Sequence, residues 1–257
     1  MAGPARDLGD AARLVELVVA DPPAAWEAAG FALTGGVVRV GDTAIRPVAS
    51  TGEPAPRVET GVDGRAGILG WTVAGLDLPP GSSTLDGLPT VADHAGTDAD
   101  TDADAERRSD RDGEQGAMVH PNGATKIDHV VVFTPDLERT IAAFEATGLG
   151  CRRMREAGTA ARPVRQAFFR LGPTVVEVVA GGPGKPSGRA GAADGVPATW
   201  FGIAVDVADI DVTAVLLGDD LGRVKAAVQP GRRIATLRHR RLGLSVATAV
   251  MDDHGDR

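Results

Sequence analysis

Between Asp93 and Ala124 the chain reads "DHAGTDADTDADAERRSDRDGEQGAMVHPNGA", with almost no bulky apolar side chain. Such a stretch cannot bury enough surface to offset the entropy of ordering it, and a disordered linker is expected over 93–124. Its place in the chain constrains the fold more than its chemistry does. Apolar segments lie on both sides of it, so the protein must be assembled from an N-terminal piece near 9–92 and a C-terminal piece near 125–254. Nine acids and three bases fall between Asp93 and Gly116, which accounts for −6 of the formal charge of −8. The remaining chain is nearly neutral, and the acidity describes the linker and not the partners of the folded parts. The alternating aspartates are not a calcium loop: counting from Asp98, Ala103 and Ser109 stand where an EF-hand needs Gly and Glu.

In the C-terminal piece "IDHVVVFT" has the β-branched and aromatic composition of a strand. Thr134 and Pro135 follow with a helix-start pattern, Leu137, Ile141 and Phe144 recur at helical spacing, and Gly148 closes the helix. "CRRMREA", "RQAFFRLG" and "TVVEVVAG" are three further strands, punctuated at 158–163 and at Gly172-Pro173. The order over 125–182 is therefore β-α-β-β-β. After a Gly/Pro-rich connector at 181–198, the segment 198–254 reads as a shortened copy. "TWFGIAVDVADID" is its strand leading into a helix, and "AAVQPGRRIATLRH" and "LGLSVATAVMD" are its later strands. "RLVELVVADPP", "PAAWEAAGF", "GGVVRV", "TAIRPV" and "GILGWTVAG" repeat the theme before a linker, with a loop at about 50–66 inside them.

Two polar residues interrupt the apolar strands. By alternation His129 shares a face with Val131 and Phe133, and Glu177 shares one with Val175 and Val179. A carboxylate among apolar neighbours needs a metal, an Arg, a His or water, since unpaired burial costs several kcal/mol. Arg165, Arg170 and His129 are the partners within reach in sequence.

The stretch "KIDHVVVFTPDLERTIAAFEATGLGCR", continued by "QAFFRLGPTVVEVVAG", resembles the vicinal oxygen chelate superfamily of glyoxalases, bleomycin-resistance proteins and extradiol dioxygenases. The resemblance spans about 126–253 and is loose before that. It implies an α+β fold of β-α-β-β-β modules, two of them (125–182 and 198–254) paired into a half-barrel cavity, with a smaller N-terminal module. It also implies a divalent metal held by side chains of the first and last strands. Carried over by position, His129 and Glu177 are metal ligands, with Glu177 also a candidate catalytic group. The shortened copy offers Gly202 opposite His129 and Thr248 opposite Glu177, neither a usual ligand for a catalytic metal. Laying "VELVVADP" over "DHVVVFTP" brings Glu16 to the first-strand position as a third ligand, provided the N-terminal module pairs with 125–182.

Three readings follow. One is a metal-dependent lyase, isomerase or dioxygenase acting on a small oxygen-rich metabolite. Another is a metal-free small-molecule or drug-sequestering protein. The third is a degenerate structural module whose odd half-unit pairs with a second copy of the chain as a homodimer. "GRRIATLRHRR" is either a contact for an anionic ligand or a solvated hairpin, because no second basic stripe or stacking aromatics accompany it to read nucleic acid. No apolar run approaches the roughly 18–20 residues of a membrane span. The N-terminal residues lack the pattern of a secretory signal, and Cys151 is the single cysteine, so a cytoplasmic location is expected. Trp26, Trp71 and Trp200 are expected in the core or lining the cavity.

Overall fold

The computed structural model describes residues 11–48, 67–93, 118–181 and 195–252. The expected loop at 50–66, most of the 93–124 linker and most of the 181–198 connector lie outside these residues. The last part of the expected linker, 118–124, is described and is packed. Asn122 is buried, accepting from the Ala124 amide and donating to the Ala29 carbonyl.

Strands β1 (Arg13–Val19), β2 (Val38–Val40), β3 (Thr43–Pro47), β4 (Ile68–Ala74), β5 (Thr84–Leu85) and β6 (Leu88–Asp93) form one sheet in the order β2-β3-β1-β4-β6-β5. Helix α1 (Pro23–Ala28) follows β1. The second sheet contains β7 (Ala124–Phe133), β8 (Arg153–Thr159), β9 (Arg162–Leu171), β10 (Thr174–Gly181), β11 (Thr199–Val207), β12 (Lys225–Ala226), β13 (Arg233–Thr236) and β14 (Ala247–Asp252). Its order is β12-β13-β14-β11-β7-β10-β9-β8, and it curls into a half-barrel. Helices α2 (Leu137–Glu145) and α3 (Ile210–Leu217) cross over from β7 and β11. Asp136 caps α2 by accepting from the Arg139 amide. Thr134, the residue expected at that cap, is buried instead, its hydroxyl turned to the Asp136 backbone.

The two sheets share one plan. In the larger, β7 pairs parallel with β10 and antiparallel with β11, which pairs parallel with β14. In the smaller, β1 pairs parallel with β3 and antiparallel with β4, which pairs parallel with β6. The smaller sheet therefore carries the strands of two abbreviated halves, where the sequence reads as one module. "LPTVAD" supplies β6, a strand too short and too mixed in pattern to stand out. The central strands match in detail as well, because each holds an extra residue just before the site position, Val15 before Glu16 in β1 and Asp128 before His129 in β7, opposite its antiparallel neighbour.

One hydrophobic core runs through both sheets. Trp71 of β4 meets Trp200 of β11 edge-on at 4.9 Å and Phe144 of α2 at 6.3 Å. Trp26, Trp71 and Trp200 are all buried. Polar clamps flank this junction. Asp86 accepts from Arg139 and from Thr140 of α2, and Asp21 accepts from the Ser245 amide.

His120 is a third clamp. Its Nδ1 accepts from the Ala32 amide at 3.0 Å, so its Nε2 carries the proton donated to the Arg39 carbonyl at 2.7 Å. Burial holds this imidazole below its ordinary value, against a smaller opposing effect of the Arg39 hydrogen bond. A folded value below the unfolded one means that the stabilisation is complete above the unfolded value and is lost as pH falls through the folded one. Unfolding in urea between about pH 7 and pH 5 should show stability declining on acidification, and the slope should flatten in His120→Gln.

Candidate functional site

Alternation along β7, β9 and β10 sorts side chains cleanly. Val130, Val132, Phe169, Val176 and Val178 are fully buried on the core side, whereas His129, Val131, Phe133, Gln166, Phe168, Val175 and Glu177 are partly exposed on the concave face. The register sets Val175 beside His129 and Glu177 beside Val131. His129 and Glu177 thus share the concave face, and His129 Nε2 lies 3.9 Å from Glu177 Oε2.

The bulge in β7 adds a third member. With Asp128 inserted opposite the Ala204–Val205 step, consecutive residues turn to one side, and Asp128 Oδ2 comes 2.6 Å from His129 Nδ1. Arg232 Nη1 donates to the other oxygen, Asp128 Oδ1, at 2.6 Å. Burial pushes the Asp128 carboxyl up, but hydrogen bonds and charge from His129 and Arg232 outweigh it and hold the group below its ordinary value. An acceptor-only carboxylate takes a hydrogen bond from a protonated Nδ1 and leaves Nε2 on the Glu177 side. Glu177 is anchored in turn by the Gln166 amide, which donates to Oε1. Arg165, one of the expected partners of Glu177, is instead paired with Glu138 at 2.5 Å.

Arg232 departs from the solvated-hairpin expectation: it is 6% exposed and also donates to Asp206, itself 1% exposed. Its neighbours are paired too, Arg233 with Asp252 and Asp211, and Arg241 with Asp220. Asp128, Gln166 and Asp206 were not singled out from sequence. Asp128 had one signal, its place before His129 in the family-like "DHVVVF".

Glu16 occupies in its own sheet the register position that His129 occupies in the other. Each follows the extra residue of its bulge, and each pairs with the strand residue two before a charged one: Ala44 before Arg46, and Val175 before Glu177. Arg46 binds Glu16 at 2.6 Å, so the smaller sheet carries a Glu–Arg ion pair where the larger carries His and Glu. Glu16 is not brought to His129 and Glu177.

Among the described residues, the positions of the other half that match His129 and Glu177 carry no metal-ligating side chain. In register, β11 and β14 present Gly202, Ala204, Ala247 and Ala249 there. Thr248 points the opposite way, buried, its hydroxyl donating to the Val246 carbonyl. The counterpart of Glu177 in β14 is Ala249, one residue from the position matched by sequence, and in a strand one residue is a change of face. A metal centre of the kind the resemblance implies draws on three protein ligands. His129 and Glu177 supply two, and among the described residues no three His, Cys, Asp or Glu side chains gather where they could hold an ion. The donor set of the described residues does not fit a catalytic metal.

No family model matches the sequence, and no curated protein matches it. Solved structures do match in shape. A mutant of 4-hydroxymandelate synthase from Streptomyces coelicolor superposes with a TM-score of 0.57 at 15% identity, covering 99% of this chain and 94% of that one. Methylmalonyl-CoA epimerase from Mycobacterium tuberculosis matches at 17% identity and TM-score 0.38, over 52% of this chain and 92% of its own. A Streptomyces coelicolor variant of that epimerase matches at 22% identity and TM-score 0.37, over 51% and 99%. The full-length match in shape shows the fold, an α+β arrangement with a half-barrel sheet, which is the fold that the resemblance in sequence implies. Among the described residues no helix is long and apolar enough to cross a membrane.

Gly202 also resists repair. A Cβ built there would lie 2.0 Å from the Ala247 carbonyl oxygen, so any side chain requires β14 to move away from β11. Gly202→Ala should lose about 1–3 kcal/mol in denaturant unfolding. Gly202→His should lose at least as much, with no gain in zinc binding by calorimetry.

Proposed function

We propose that the concave face of the eight-stranded sheet binds a small oxygen-bearing metabolite and exchanges a proton with it at His129, without a chelated metal. The observation that carries this reading is the His129–Glu177 pair, separated by 3.9 Å and backed on each side, by Asp128 on Nδ1 and by Gln166 on Oε1. A backed imidazole keeps one orientation and one tautomer, the arrangement in which Nε2 acts as a base and the carboxylate behind it stabilises the imidazolium that forms. Glu177 accepts a hydrogen bond from a ligand hydroxyl on the same face. Gly202, Ala204, Ala247 and Ala249 stand in register beside the pair and set a small-residue, apolar surface next to it. The reaction class is proton transfer next to a carbonyl, that of an isomerase or lyase. A protein that only sequesters the ligand would use the same face.

Two measurements test this. Elemental analysis of the purified protein should find transition metal well below one equivalent, unchanged in His129→Ala. A set of small hydroxy- and oxo-acids, screened by thermal shift, should contain ligands whose affinity falls roughly ten- to hundred-fold in His129→Ala and in Glu177→Gln, the loss of one charged hydrogen bond. Solvent deuterium entering the ligand's C–H position, and failing to in His129→Ala, would establish proton exchange. One equivalent of metal, lost on His129→Ala, would overturn the metal-free reading.

A further inference from the structure

We propose that Arg232 is a positioning residue for His129, acting through Asp128 from the opposite half of the domain. The inference rests on the functional reading above, in which Nε2 of His129 faces the ligand. Arg232 immediately precedes β13, yet its guanidinium reaches across the end of the sheet. Nε donates to the Asp252 carbonyl on β14 at 2.9 Å, Nη2 to the Asp206 carboxylate on β11, and Nη1 to Asp128 Oδ1 on β7 at 2.6 Å. Nη1 also lies 3.3 Å from Gln229 Oε1. One planar fork, 6% exposed, thus ties three neighbouring strands, β14, β11 and β7, to the residue that leads into β13.

What makes this more than a staple is how the Asp128 oxygens are divided. Oδ1 is held by Arg232 and Oδ2 by His129 Nδ1, so the orientation of the carboxylate, and with it the acceptor for the Nδ1 proton, is set by the guanidinium. Asp206 does not share this role. It meets Arg232 and, at 3.6 Å, Lys126, while the Nδ1 of the imidazole is held by Asp128. The half opposite His129 and Glu177 therefore acts on the pair from behind. With Arg232 removed, Asp128 keeps its place on the chain but loses the contact that aims it, and His129 is free to carry its proton on either nitrogen.

The test reads the imidazole directly, by nitrogen-15 NMR of histidine-labelled full-length protein without ligand, at a pH where His129 is neutral. The wild type should show the Nδ1–H tautomer. Arg232→Met should move the His129 signals toward a mixture of tautomers, and Arg232→Lys, which keeps a cation but not the fork, should restore them in part. Asp206→Asn, which disturbs the same buried cluster without touching Asp128, should leave the tautomer unchanged while lowering stability. A wild type in which His129 is Nε2–H overturns the proposal even if Arg232→Met fails to fold. So does an Arg232→Met protein that is destabilised with the tautomer unmoved, because Arg232 would then be structural only. Neither outcome bears on whether the face binds a ligand or holds a metal, which the thermal-shift and elemental measurements decide separately.

Discussion

One extra residue in β7 organises the candidate site. A regular strand would send the side chains of 128 and 129 to opposite faces, leaving His129 with no acid on its inner nitrogen and Asp128 with no route to Arg232. The bulge aims both the same way, and each partner then follows: Asp128 joins the imidazole to the guanidinium, and the guanidinium joins β7 to β11 and β14. The local cost is a missed rung in the ladder, offset by charge-assisted hydrogen bonds in a poorly hydrated setting.

Much of this could be read from residues alone, and the failures have definite causes. Period-2 alternation grouped His129 with Val131 and Phe133, and Glu177 with Val175 and Val179, and the pairing of β7 with β10 makes these one face. The strand order of 125–182 followed from its turn residues. The bulge was not legible, since nothing in "KIDHVVV" marks where an extra residue is inserted. The one-residue error at Thr248 has the same origin: an ungapped overlay carries no information about which face a strand shows. Arg232 was hidden among five other basic residues, and only its long-range partners, 104 and 26 positions away, distinguish it. The smaller sheet read as one module because β5 and β6 are too short to announce a second half.

The correspondence between the sheets gives the Glu16 expectation a different meaning. By register Glu16 does stand at a first-strand position, but in a sheet whose matching last-strand residue is Arg46. An acid and a base facing each other at 2.6 Å satisfy one another. The His129–Glu177 pair is wider, at 3.9 Å, and each member is braced from behind. The same two positions hold a tight ion pair in one sheet and a looser, braced pair in the other.

The junction between the sheets has a bearing on how the chain behaves as an object. Trp71 is wedged between Trp200 and Phe144, and Asp86, Asp21 and His120 reach across with hydrogen bonds. Cohesion between the sheets thus comes from interlocked side chains that lie far apart in sequence. Were the chain divided between β6 and β7, the two pieces would remain associated as a two-chain particle with its concave face intact. Gel electrophoresis would report two polypeptides where gel filtration reports one protein.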